Sequence, residues 1–296
     1  MSTGSIEAVE ATRGPSVGPA RQFFHRLVRN RAAMTAACFL GIVVLACACA
    51  PILAPHDPLK QDLLNALKPP SSEHWLGTDD LGRDTFSRML FAGRVSLLAA
   101  FEAVAVGVVL GVPFGLLAGY AGRWVDAVIM RATDALLSLP PLILAIAIVG
   151  IRGRGLTNAM LAIGIVFAPR FARLVRATVR DVMQETYIEA SRAMATPGYR
   201  IVLSNVLPNI LSPLIVQISL SASFAMLAEA GLSFLGLGVQ APDASWGSLL
   251  GRAFGYINRS AWLVIVPGAC ISLTALTLNV LGDGMRDSIG REDRAR

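Results

Sequence analysis

The chain has 296 residues, of which 54% are hydrophobic and 16% charged, and it carries a formal charge of +6. Soluble domains carry about 25% charged residues, so this composition excludes an ordinary soluble fold and reads as a membrane protein. The cations are scattered between apolar runs rather than gathered on one face, which speaks for membrane topology and against nucleic acid. All four cysteines (Cys38, Cys47, Cys49, Cys270) lie inside apolar stretches. They are read as small hydrophobes with no disulfide and no thiol chemistry.

In chain order, residues 1–31 form a basic tail, whose first ~20 residues (mixed Gly, Pro, Ser and Thr) carry no motif and fit a disordered composition. The apolar run from Ala32 to Leu53 is long enough to cross a hydrocarbon core of ~30 Å. It exceeds the ~7–15 apolar residues of a signal peptide, so it is read as a retained first helix over 32–54. An outside loop spans 55–94, and a core of five further helices spans 95–285. The second span, Val95–Gly119, is apolar except for Glu102. It carries Gly107, Gly111, Gly115 and Gly119 at intervals of four, the spacing of a groove that admits a neighbouring backbone.

The third span is expected to begin near Trp124 and to run through Pro140-Pro141 to about Ile151, with Asp126, Arg131 and Asp134 in its first turns. A fourth starts near Leu156 and leaves the membrane through Arg170, Arg173, Arg176 and Arg180. These four share a stripe of about 120° on a helix and suit snorkelling to headgroups or a stalk. Ile210–Gly236 holds Glu229, and Ala261–Leu281 is the sixth span, followed by a tail at 286–296. Six crossings put both termini on one side. Of the 26 lysines and arginines, 17 then face the cytosol if the termini do, which is the orientation the positive-inside rule selects. Arg152 and Arg154, in a short outside loop, run against that choice.

Between the fourth and fifth spans lies a polar insert, 181–208. Gln184 to Ala195 is mostly helix-forming, Pro197-Gly198 breaks it, and Pro208 opens the next span. Glu189-Ala190-Ser191 with Leu207-Pro208 resembles the EAA loop of binding-protein-dependent ABC importer permeases. Ala195 stands where that motif has glycine, and left-handed backbone there costs an alanine about 1 kcal/mol. The Pro197-Gly198 pair offers the turn a second position.

Three longer segments are similar to signatures of dipeptide, oligopeptide and nickel permeases of the C type: Leu76–Asp84, Glu229–Gly238 and Leu281–Asp287. The resemblance implies an all-α bundle of six transmembrane helices with the type I ABC importer fold, in the cell membrane. It also implies a sister permease subunit, two cytosolic ATPases and an extracytoplasmic substrate-binding protein, with surrounding membrane lipid. ATP and Mg would belong to the partner ATPases, with no cofactor in this chain. Independently, a P-loop needs Gly-Lys-Ser/Thr, and Lys60 and Lys68 both follow leucine. No nucleophile set, metal motif or acid–base pair points to an enzyme. The cargo is expected to be a di- or oligopeptide, with nickel or another small solute as the alternative. A secondary transporter is the remote one, since no internal repeat is visible.

Within that frame Glu185, Tyr187, Glu189, Ala190, Ser191, Ala195, Gly198, Leu207 and Pro208 are the ATPase-coupling residues. Glu229, with Gln217, Ser221 and Glu102, is the candidate translocation path, because a carboxylate in an apolar span is costly and faces a cavity or a partner. A structural bend pairing Glu229 to a neighbouring helix is the other reading, and Ser219 and Ser223 join Ser221 as candidates for helix cement. Gly77, Thr78, Asp79, Gly82, Arg83 and Asp84 are read as a folded outside element, with Asp79 capping a helix from Asp80. His25, His56 and His74 are too dispersed in sequence to form a metal-ligand set.

Overall fold

The computed structural model describes residues 25–290; the tail residues 1–24 and 291–296 lie outside the described residues. The first apolar run forms α1 (Arg31–Ala48) and a single turn, α2 (Ala50–Leu53). The break falls at Cys49, two residues before Pro51. Beyond the loop that follows α2 come α3 (Thr85–Tyr120), α4 (Arg123–Leu137), α5 (Pro141–Arg152) and α6 (Leu156–Val182). The polar insert holds α7 (Thr186–Ala193) and α8 (Gly198–Ile201). The chain ends in α9 (Leu207–Phe234), α10 (Trp246–Phe254) and α11 (Trp262–Gly290).

By length and composition, α1, α3, α6, the run Gly198–Phe234 and α11 each suffice to cross a membrane. The third span differs from the sequence expectation. It is not one helix but α4 and α5, bent by 92° at the break. Pro113, Pro169, Pro213 and Pro267 all sit inside unbroken helices, so a single proline is tolerated here. Two in a row are not, because Leu139 and Pro140 both precede a proline and both are pushed out of helical conformation. Pro140 is extended (ψ 127°) and Pro141 opens α5.

Whether α4–α5 makes a full crossing follows from its neighbours. Gly107 abuts Phe167 and Phe171, Gly115 abuts Ala172 and Val175, and Gly119 abuts Val179. Rising numbers meet rising numbers, so α3 and α6 run parallel, and the chain between them must return across the full thickness. Six crossings result. A β-carbon on Gly115 would stand 2.6 Å from the Ala172 carbonyl oxygen and one on Gly119 would stand 2.6 Å from Val179 Cβ. The four glycines therefore set the α3–α6 distance, where van der Waals packing must replace the hydrophobic drive that lipid does not supply.

The α3–α6 pair is the centre of the molecule. α9 lies against both, α11 runs antiparallel along α9, and α1 lies on α11. Ser219 and Ser223 of α9 donate to the carbonyls of Leu278 and Ala275 on α11, each at 2.8 Å. Gly282 meets Ser219, and Gly284 meets Ala33 of α1. The start of α1 and the end of α11 therefore lie at the end of the bundle that carries α7. Large apolar side chains such as Phe101, Val109, Ile42 and Ile151 remain exposed, as suits a surface made for lipid and partner helices.

Candidate functional site

At one end of the bundle the polar insert forms a short lateral helix. Ile188 is fully buried beneath α7, while Glu185, Tyr187, Glu189, Ala190 and Ala193 are exposed and Ser191 is half-exposed. Ser191 Oγ is turned back onto the Tyr187 carbonyl at 2.8 Å, which leaves a low surface of alanines edged by carboxylates. α7 ends in a Schellman motif: the Thr196 N–H bonds the Ser191 carbonyl at 3.1 Å and the Ala195 N–H bonds the Arg192 carbonyl at 2.9 Å. The same motif ends α9, with Leu237 on Leu232 and Gly236 on Ser233.

The left-handed residue is Gly236 in α9 (φ +73°) but Ala195 in α7 (φ +54°). The turn has not moved to Gly198, which is the first residue of α8. Gly198 instead lies close to the end of α3: a β-carbon there would push on the Tyr120 hydroxyl, so that side chain would have to shift. Ala195→Gly should therefore relieve strain. We expect a local gain of about 1 kcal/mol, read as roughly fivefold slower amide exchange in α7; unchanged or faster exchange would contradict it.

After α8, Val202–Val206 form a π-helical stretch running into α9, and Pro208 is in the first turn of α9. Proline clashes with the carbonyl four residues back, here Ser204, and the wider turn makes room. Leu207 is half-buried and Pro208 exposed. α8, the π turn and α9 form one 37-residue run, so the insert and the fifth span are mechanically continuous.

The arginine stripe of α6 does more than reach for headgroups. Arg176 and Arg180 both pair with Asp126 of α4, the latter at 2.6 Å, and Arg173 pairs with Asp134 at 2.6 Å. Arg170 stands over the Phe167 and Phe224 rings at 5.9 and 5.5 Å. The ion pairs tie α4 to α6, and Arg170 reaches from α6 to α9.

Glu229 is 1% exposed. Its Oε2 accepts from Ser96 Oγ of α3 at 3.1 Å and its Oε1 from Ser233 Oγ at 2.7 Å. Ser96 Oγ in turn accepts the Trp246 N–H of α10 at 3.0 Å, and Trp246 Nε1 donates to the Met89 carbonyl at 2.9 Å. Glu229 thus ties α3 to α9, and through Ser96 the tie extends to α10. Gln217 donates to Ser221 Oγ on its own helix at 3.2 Å, and Glu102 is half-buried midway along α3. Sequence reasoning missed Ser96 and Trp246, which stand 133 and 17 residues from Glu229 with no local pattern linking them. Glu229→Gln keeps an acceptor for one serine and should hold near-full uptake. Glu229→Ala strands two buried hydroxyls beside a cavity and should cost about 2–4 kcal/mol of stability. Equal loss of uptake in both variants, at unchanged thermal stability of the glutamine form, would instead mark the charge as functional.

At the far end, Leu76–Asp84 folds into a compact knot. Asp79 does not cap a helix at Asp80. Its Oδ1 accepts from the Leu81 and Arg83 amides, at 2.9 and 3.0 Å, and its Oδ2 from Arg83 Nε at 2.7 Å. The helix cap is Asp84, whose Oδ2 accepts from the Ser87 N–H at 2.8 Å. Gly77 and Gly82 both have φ near +72° and crowd the carbonyls of Lys68 and Asp62. Buried Thr78 accepts from the Lys68 N–H at 2.9 Å. Arg88 Nη1 donates to the Pro58 carbonyl at 3.2 Å, and Arg252 of α10 lies 3.7 Å from Asp80. The expectation that the histidines are dispersed fails here. His56 and His74 meet at Asp84, with ring centroids 4.9 Å apart, and His25 does not join them. Seventeen residues lie between the two histidines, and only the fold of the knot brings them together.

The family model for the inner membrane component of binding-protein-dependent transport systems matches residues 111–292. The chain belongs to that family. A second model, the N-terminal transmembrane domain of oligopeptide transport permease C, matches residues 18–70. The permease is 42% identical to the dipeptide transport system permease protein DppC of Alkalihalophilus pseudofirmus, over 93% of this chain and 90% of that one. It is 42% identical to a di/tripeptide permease, DppC, of Pseudomonas aeruginosa, over 92% and 91% of the two chains. To the glutathione permease GsiD of Pectobacterium atrosepticum it is 40% identical, over 92% and 90%. Among solved structures, the inward-facing MetNI methionine ABC transporter is similar in fold. The TM-score is 0.56 at 21% identity, covering 69% of this permease and 97% of that chain. The fold is that of a type I ABC importer permease.

Proposed function

We propose that this permease is half of the translocation path of an ATP-driven importer of short peptides, with a sister permease supplying the other half. The observation that carries the reading is the exposed α7 of the polar insert, which follows three residues after α6 and is joined by a short turn to the continuous run of α8 and α9. A partner that pushes α7 moves two membrane helices at once. Two cytosolic ATPases are the partners this surface suits, and they hold the ATP and Mg. The positive-inside rule puts α7 and both helical termini in the cytosol and the Leu76–Asp84 knot outside, facing a substrate-binding protein. Short peptides are favoured over nickel because the relatives compared above are named for dipeptides, tripeptides and glutathione.

The test is uptake of a labelled dipeptide in a strain lacking this chain, combined with affinity purification of the restored permease. Restored uptake with two ATPase subunits in the purified complex is expected, with no ATP hydrolysis by the permease alone. Normal uptake in the deleted strain, or a permease that purifies alone and transports, would contradict the proposal.

A further inference from the structure

We propose that His56, His74 and Asp84 form a binding site for a divalent transition metal of the zinc type on the outer knot. The three side chains offer one ligand atom each, and these atoms lie within 4.8 Å of one another. His74 Nδ1 stands 2.9 Å and His56 Nδ1 3.8 Å from the same oxygen, Asp84 Oδ1. Two ligands on one tetrahedral zinc, with bonds of about 2.0–2.1 Å, stand ~3.3 Å apart. The histidine–carboxylate spacings bracket that value. Two imidazoles and a carboxylate are a donor set suited to zinc, and to its divalent neighbours such as cobalt and nickel.

The supporting contacts are those of a built site. Asp84 is 1% exposed at its side chain. Its other oxygen, Oδ2, is already fixed by the Ser87 N–H and by Ser87 Oγ at 2.7 Å, so Oδ1 is held toward the histidines. Ser87 Oγ also accepts the His56 backbone N–H at 3.2 Å, and the His74 backbone N–H donates to Ser71 Oγ at 3.0 Å. Such outer contacts orient ligands and are worth about 10–100-fold in metal affinity. His56 Nδ1 is buried and has no hydrogen-bond partner among the described residues, which leaves a lone pair, or a proton exchangeable for a metal, pointed at the cluster. His56 is one-third exposed at its side chain, so the fourth coordination position opens to solvent on its side.

Such an ion would join three segments: the stretch after α2, the loop carrying His74 and the start of α3. It would stiffen the surface offered to a binding protein without entering the transport path. The inference rests on the contacts within the knot and is independent of the peptide reading.

The experiment uses the full permease complex, purified without a polyhistidine tag, in detergent and titrated with Co²⁺ and Zn²⁺. One saturable equivalent is expected, with visible Co²⁺ absorption displaced by Zn²⁺ and a rise in thermal stability on loading. His74→Ala and, separately, His56→Gln should lower affinity at least tenfold, and Ser87→Ala roughly tenfold. Removing any of the cysteines should change nothing. Absence of saturable binding, or binding that survives both histidine substitutions, would overturn the proposal and leave a hydrogen-bonded His–Asp pair only.

Discussion

Gly111→Leu should abolish the folded permease. A β-carbon on Gly111 would stand 2.6 Å from Phe171 Cβ and 3.1 Å from the Ala172 amide nitrogen. Neither neighbour can retreat, because Phe171 is fully buried and the amide is part of α6. The helices must separate along the seam that Gly107, Gly115 and Gly119 also line. Overpacking one site in a dense interior costs about 1–3 kcal/mol and more when backbone must move. Here the four glycines share one interhelical distance, so the loss spreads over the whole seam. Membrane-inserted, protease-resistant permease should fall to a small fraction of wild type. Gly41→Leu is the control: it places the same side chain on α1, where nothing among the described residues lies within 4 Å of the new β-carbon, and should be tolerated. Normal accumulation and thermal stability of Gly111→Leu would show that the α3–α6 contact is not close.

Ala190→Arg should separate the permease from its motor while leaving the bundle intact. Ala190 is exposed on α7 and makes no contribution to the packing of Ile188 beneath it. A long charged side chain there disturbs only what docks on the outside. Interface positions of high importance carry at least about 2 kcal/mol, so ATPase recovered with the permease should drop roughly 30-fold and uptake with it. The permease itself should keep its melting temperature. An equally bulky change on the opposite end, Leu64→Arg at a site 93% exposed, should leave ATPase recovery untouched. Equal effects of both substitutions would remove α7 from its assigned role.

Features encoded within a few turns of helix could be read from the residues alone. The glycine interval of four and the EAA-like insert are both local, and each lies where its pattern places it. The double proline was equally visible, yet Pro113, Pro169, Pro213 and Pro267 leave their helices unbroken, so its consequence depended on adjacency rather than presence. The alanine at the left-handed turn was legible as a departure. The turn stays at that alanine, which takes the left-handed conformation itself.

Long-range polar ties had no such signature. Ser96 and Glu229 meet across two membrane helices, Asp126 and Arg176 across 50 residues, and His56 and His74 only because the Asp84 knot closes. Each of these partners is an ordinary polar residue in its own stretch. Only packing selects which one it meets. Glu229 illustrates the consequence: a lone carboxylate in an apolar span advertises itself, whereas the two serines that donate to it do not.

Force transfer through α7 is most directly examined with a Glu189→Cys permease carrying a photoactivatable thiol crosslinker, in intact vesicles with the full set of transport proteins. The account predicts a crosslinked product containing an ATPase subunit, formed from the cytosolic face and diminished by Ala190→Arg. Capture of the extracytoplasmic binding protein instead, or labelling of that cysteine by a membrane-impermeant reagent added outside, would contradict it.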